Sequence, residues 1–225
     1  MVFATDGKDA ETVAAFADDI TAHGGDPDAV NEVCIDMSPA FIKGTAESLP
    51  KAAVTFDKFH AVKIVNDAVD RVRRTEQKSQ TVLRGTRYLW PQLRNPTNLS
   101  GRQRAALESL PTRHLKTGRA YQIRLAFQEL YDQSSLEAGA RYLKAWYFWA
   151  THSRLDPMIE AARTAKRHWD GILRWFDSKI ANGLIEGINS LVQAAKAKAR
   201  GYRATRNLKA MVYLLAGKLD LKLPA

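Results

Sequence analysis

The chain holds 225 residues, enough for one large or two small domains with a real core. Its one cysteine, Cys34, excludes a disulfide framework and a cysteine-built metal site, and no apolar run approaches the roughly 18 residues of a membrane span. The net charge of +10 is unevenly spread: residues 1–60 carry four Lys/Arg against eleven Asp/Glu, a balance of −7, and residues 61–225 carry thirty against thirteen, a balance of +17.

A strongly basic second part points to a polyanionic partner, most simply nucleic acid; a helical domain with a basic surface fits the same numbers. The opening residues, Met1 to Asp9, show no basic stretch followed by an apolar one. No signal peptide is read, and a reducing cytoplasm is expected.

In chain order, Val2–Thr5 reads as a short β-like run ended by Asp6-Gly7. Asp9 precedes a helix from Ala10 to His23, with Val13, Phe16, Ala17 and Ile20 at helical spacing, and Gly24-Gly25-Asp26-Pro27 breaks it. Val30–Ile35 reads as a buried strand ending at Asp36. Ser38 suits an N-cap and Pro39 a first helical position, for a helix that runs to about Leu49 and is stopped by Pro50. Ala52–Phe56 reads as a third strand, ending at Asp57. A long helix follows, with Val62, Val65, Ala68, Val69 and Val72 on one face. Alternation of strand and helix predicts parallel pairing in an α/β sheet.

After about residue 75 no convincing strand is read. Residues 79–117 are polar and broken by Pro91, Pro96, Gly101 and Pro111, with Ser100 capping a short helix in LSGRQRAALESL. Residues 117–150 read as one or two aromatic-rich helices, and residues 155–181 as another, carrying Ile159, Ala162, Ala165, Trp169, Ile172, Leu173 and Phe176. The aromatics read as core; base stacking by one or two is the second reading.

The run NGLIEGINSLVQAAKAKARGYR, Asn182 to Arg203, reads as a helix started at Asn182-Gly183 and closed by Gly201. Leu184, Ile188, Leu191, Val192 and Ala195 make an apolar face. Glu186, Asn189, Gln193, Lys196 and Arg200 make a polar stripe with a carboxylate at one end and cations at the other. A solvated face accounts for this stripe, and so does a metal-holding carboxylate followed by phosphate-binding cations. Asp36 and Asp57 each end a predicted parallel strand, the edge where open α/β sheets gather ligands. They suit either loop capping or coordination of a hard cation through oxygen. His60, beside the second of them, reads as a structural histidine or a ligand.

These residues resemble a known family. Asn182, Gly183, Glu186, Gly187, Asn189, Gly201, Tyr202 and Arg203 resemble the last catalytic block of the ISL-three-type transposases of bacterial insertion sequences, the block that carries the glutamate of an Asp-Asp-Glu triad. VCIDMSPAFIKG is similar to the family's second block, AVTFDKFHAVKIVNDAVDRVRR to its Asp-Arg-Phe-His block, and SRLDPMIEAARTAKRHWDGILRWF to the segment leading to the glutamate. The blocks stand in family order and cover nearly the whole chain.

The resemblance implies an α/β fold, mostly helical overall: an incomplete ribonuclease H-like sheet with a large all-helical insertion. Residues 1–75 would be the partial ribonuclease H-like region, 76–170 the insertion, and 171–225 the helices that carry Glu186 back to the catalytic core. It implies Asp36 and Glu186 as catalytic metal ligands for Mg²⁺ or Mn²⁺, with Asp57 and His60 as secondary candidates. Lys196, Lys198, Arg200, Arg203 and Arg206 would bind DNA phosphates. The partners implied are double-stranded DNA of insertion-sequence ends and a second copy of the chain, with no membrane. The family's first Asp lies upstream of the segment matching Val2–Thr5, so a transposase fragment, inactive alone, is expected. The alternatives are an inactive DNA-binding or inhibitory remnant and a decayed product without function.

Overall fold

The computed structural model describes residues 3–86, 100–109, 114–180, 183–202 and 204–217, without the side chains of residues 106, 107, 183–186 and 189. Helix makes up 70% of it, beside one small parallel sheet of two strands, so the fold is α/β with helix dominant. The chain divides into two compact units, Met1–Val54 with Ile180–Ala225, and Thr55–Lys179.

In the first unit, helix α1 (Ala10–Ala22) opens with a capping box. Thr12 N–H donates to Asp9 Oδ1 at 3.0 Å, and Asp9 N–H donates to Thr12 Oγ1 at 3.4 Å, which satisfies two otherwise orphaned donors. After a 3-10 turn at Pro27–Ala29 come strand β1 (Glu32–Ile35) and helix α2 (Pro39–Ser48). Pro39 takes the first helical position, as its fixed φ favours. Ser38 occupies the cap position, but its hydroxyl makes no cap bond; its N–H donates instead to Asp36 Oδ1 at 2.8 Å. Helices α1 and α2 approach so closely at Gly44 that an added Cβ would stand 2.8 Å from the Ala10 carbonyl oxygen. Strand β2 (Ala53–Phe56) pairs with β1, and Ala53 N–H donates to Asn31 O at 2.8 Å just before the ladder. The boundary between the units falls inside β2.

Residues Phe3–Thr5 form no strand, contrary to the sequence reading. Side chains satisfy this segment instead: the Phe3 and Phe16 rings pack at 5.7 Å, and Ala4 N–H donates to the Tyr213 hydroxyl at 3.0 Å. The unit ends with α10 (Gly183–Lys198) and α11 (Thr205–Ala216), packed on one another. The apolar face expected on α10 is only partly covered. Ile188, Val192 and Ala195 are half-buried, but Leu191 is 54% exposed, and Leu214 and Leu215 of α11 are exposed as well.

The second unit is helical beyond β2. Helix α3 (Lys58–Glu76) buries Ala61, Val65, Ala68, Val69 and Val72, and packs on α5 (Lys116–Glu129) and α7 (Asp156–Arg167). Ala61 takes the buried place expected of Val62, which is half-buried. Between them lies α4 (Gly101–Glu108), where Ser100 and Gln103 cap reciprocally. No side chain of Leu115 can cap α5; the Glu76 carboxylate does so from α3, accepting the N–H groups of Lys116 and Thr117 at 2.8 and 2.7 Å.

Helix α6 (Leu136–Thr151) supplies Trp146, whose Nε1–H donates to Ile123 O at 2.8 Å while its ring lies 4.5 Å from that of Phe127. The aromatics are thus largely core, although Phe148 and Trp149 are exposed. The stretch read as one helix over 155–181 is three: α7, α8 (Trp169–Leu173) and α9 (Trp175–Ser178). His168 leaves helical geometry at φ −110°, and its ring stands edge-on to Phe56 at 5.0 Å. Gly171 of α8 lies against the Phe56 ring, where an added Cβ would overlap its Cδ2 and Cε2 atoms.

Candidate carboxylate and cation sites

Asp36 and Asp57 each directly follow a strand, as read from the sequence, but the structure gives them different work. Asp36 is half-buried, and its Oδ1 accepts from Ser38 N–H at the end of β1. Among the described residues its second oxygen has no protein partner. Asp57 is 1% exposed, and both its oxygens are engaged. Oδ1 accepts from Phe59 N–H at 3.2 Å, capping α3, and Oδ2 accepts from His60 Nδ1 at 2.9 Å. A carboxylate can only accept here, so Nδ1 carries the proton, on a His60 side chain that is 48% exposed.

Glu186 lies in the first turns of α10; its side chain is outside the described residues, and so is its separation from Asp36. Lys196, Lys198 and Arg200 are exposed at the end of α10, and Arg206 is exposed in the first turn of α11. Arg203 and Asn182 lie outside the described residues. The helix closes with Gly201 N–H donating to Lys196 O at 2.8 Å and Arg200 N–H to Ala197 O at 3.1 Å, a Schellman motif. Gly201 has φ +94°, as a capping glycine allows, but Arg200 before it is left-handed as well, at φ +53°. Among the described residues no three His, Cys, Asp or Glu side chains gather as a metal-binding group.

Two features of the second unit escaped the sequence reading. The first surrounds Trp175. Lys179 Nζ stands 4.2 Å from its ring centroid and Lys58 Nζ 5.6 Å, while the Tyr131 ring meets it edge-on at 5.3 Å. Burial pushes the Tyr131 phenol well above its ordinary range, and the Asp57 charge adds to this. The one sequence signal was Lys58 beside Asp57; Trp175 and Lys179 are too distant in the chain for any spacing rule. The second is a cleft of about 630 Å³ where α3 ends and α5 and α7 begin, lined by Arg71, Glu76, His114, Lys116, Arg154 and Asp156. Its charges are of both signs. Arg71 is paired with Glu160, and Glu76 is spent on α5.

Among the described residues no helix is long and apolar enough to cross a membrane. No solved structure matches the chain. It is 26% identical to the transposase for insertion sequence element IS1001 of Bordetella parapertussis, over 88% of this chain and 50% of that protein. It is 27% identical to the transposase for IS1557 of Mycobacterium tuberculosis, over 96% of this chain and 54% of that protein. The chain thus spans about half the length of the curated relatives it matches. The model of the ISL3-type DDE family, described as transposase, matches residues 1–212, and the chain belongs to that family.

Proposed function

We propose that the chain serves the transposition of a bacterial insertion sequence, through metal-dependent cleavage and transfer of DNA strands. The observation that carries this reading is the family match over residues 1–212, within which Asp36 ends a parallel strand with one carboxylate oxygen unengaged. Such an oxygen suits Mg²⁺ or Mn²⁺, which take hard donors and often only one or two carboxylates. Asp57 suits it less, because capping α3 and holding His60 take both of its oxygens.

Asp36 and Glu186 are the metal ligands in this reading. Divalent ions bound there would activate the attacking hydroxyl and stabilise the leaving oxygen of an in-line phosphoryl transfer. Lys196, Lys198, Arg200, Arg203 and Arg206 hold the DNA phosphates, fix the register of the strand and make binding salt-dependent. The fold we propose is ribonuclease H-like, with residues 1–75 its α/β part, 76–170 a helical insertion and 171–225 the helices that return Glu186 to the core. The two-stranded sheet leaves an open edge on each strand among the described residues, which favours self-association. Access to chromosomal DNA places the protein in the cytoplasm.

The test is a nicking and strand-transfer assay on DNA carrying insertion-sequence ends, with Mg²⁺ or Mn²⁺. Activity that is lost in both Asp36→Asn and Glu186→Gln, with DNA affinity retained, supports the assignment. Full activity in either variant removes that residue from the site. A wild-type chain that binds DNA and never cuts it is a DNA-binding or inhibitory protein.

A further inference from the structure

We propose that Lys58 and Lys179, both held at the Trp175 ring, form with His60, two residues after Lys58, a second phosphate-binding face for duplex DNA, separate from the cations of α10. All four residues belong to the Thr55–Lys179 unit. This inference rests on the reading of the chain as a DNA-transposing protein and extends it to a surface that reading does not use.

The two ammoniums lie 4.2 and 5.6 Å from one ring centroid, so they are at most 9.8 Å apart. Phosphates succeed one another about every 3.4 Å of axis along a DNA strand, so both ammoniums lie within reach of one short stretch of backbone. Each ammonium also lies near a second ring, Lys58 at 5.4 Å from Phe59 and Lys179 at 5.1 Å from Phe176. Among the described residues neither has an ion-pair partner, whereas the neighbouring Lys63 is paired with Asp67. The rings therefore hold two like charges at one aromatic cluster, neither of them in an ion pair among the described residues, an arrangement a bound anion completes. Preordering of long side chains cuts the entropy cost of each contact.

The backbone around them agrees. Lys58 is the first residue of the 19-residue α3, whose N-terminus adds positive potential. His60, in the same turn, is held by Asp57 Oδ2 through Nδ1, and its Nε2 has no protein partner among the described residues. Lys179 closes α9 in the left-handed conformation, φ +51°, where glycine is the ordinary choice. A glycine would give the turn without the charge.

The test uses the full chain, a 20-base-pair duplex of arbitrary sequence and EDTA, with affinity read by fluorescence anisotropy across a salt series. Lys58→Gln with Lys179→Gln should lower the log–log salt slope by about 1.8, since each lost phosphate contact removes about 0.9. Lys58→Arg with Lys179→Arg should keep the slope. An unchanged slope in the glutamine pair, with a wild-type melting curve, overturns the proposal. So does tighter binding to a single strand of the same sequence than to the duplex, since the face would then be reading something other than duplex phosphates. The assay contains no metal and reads no cleavage, so its outcome stands apart from that of Asp36→Asn: either can fail alone.

Discussion

Replacement of Asp57 separates helix capping from charge at the end of β2. The carboxylate is 1% exposed and makes two bonds, to Phe59 N–H at 3.2 Å and to His60 Nδ1 at 2.9 Å. Asp57→Ala removes the cap of a 19-residue helix, at about 1 kcal/mol, and leaves the Phe59 donor without its partner. It also removes the bond to His60. A hydrogen bond to a charged group contributes about 1.5–3 kcal/mol when buried, but the ring is 48% exposed, so about 1 kcal/mol is the fair share. The sum is about 2 kcal/mol. Asp57→Asn keeps the cap, because asparagine caps as well as aspartate, and its amide can still meet the imidazole; the expected loss is about 1 kcal/mol or less. For a chain of this size each kcal/mol moves the melting temperature by about 2–4 °C. Thermal and urea unfolding of the two variants should therefore differ clearly. If Ala and Asn lie within about 0.5 kcal/mol of each other, Asp57 is not acting as the cap of α3 and the geometry has been misread.

Gly171→Ala should cost about 1–2 kcal/mol by urea unfolding, because the new methyl overlaps the Phe56 ring and this outweighs the better helix propensity of alanine; adding Phe56→Leu should recover part of the loss. Arg200→Gly should stabilise the end of α10 by about 1 kcal/mol while lowering the salt slope of DNA binding by about 0.9, and a variant that loses stability would refute the left-handed assignment. At alkaline pH the buried Tyr131 phenol holds its proton more tightly than in the unfolded chain, where it titrates near 10.0. Stability should thus be level below that value and fall as the pH rises through it, and Tyr131→Phe should flatten the fall in a pH series of melting temperatures. On the acid side His168, whose pKa burial and then Arg167 hold below 6.5, should make stability fall as the pH drops through that value; His168→Gln should remove the effect.

Local rules carried the first third of the chain, apart from the opening run, where Phe3–Thr5 form no strand. Asp9 with Thr12, Pro39 at a helix start, and the strands ending at Asp36 and Asp57 are all settled within a few residues, which is the range over which capping and periodicity act. Ser38 shows where such rules stop. Its hydroxyl was a fit cap by type, but the Asp36 carboxylate two residues back took its N–H and set another turn. The stretch 155–181 failed for a tertiary reason, since its apolar spacing is continuous and only the Phe56 ring explains why the helix breaks around His168 and Gly171. At the candidate site the sequence placed Asp57 and His60 together but said nothing of Trp175 and Lys179. The family blocks, not the spacing, singled out Asp36 and Glu186 as candidates, because spacing alone leaves the polar stripe of α10 equally a solvated face.

The left-handed residues bear on how far stability governs this chain. Among the described residues the non-glycine positions with positive φ are Arg154, Lys179 and Arg200, all cations and all just beyond a helix. A left-handed L-residue costs roughly 1–2 kcal/mol, which glycine would avoid. A cation near a helix C-terminus recovers about 0.3–1 kcal/mol from the dipole when exposed. The dipole therefore offsets the cost only in part, and at Lys179 the Trp175 ring adds about 0.5–1 kcal/mol more. Arg200 is exposed, with no ring contact or ion pair among the described residues, and has no such compensation. In the proposed reading a DNA phosphate supplies that compensation, and the salt slope of Arg200→Gly is the measurement that decides between it and a solvated face.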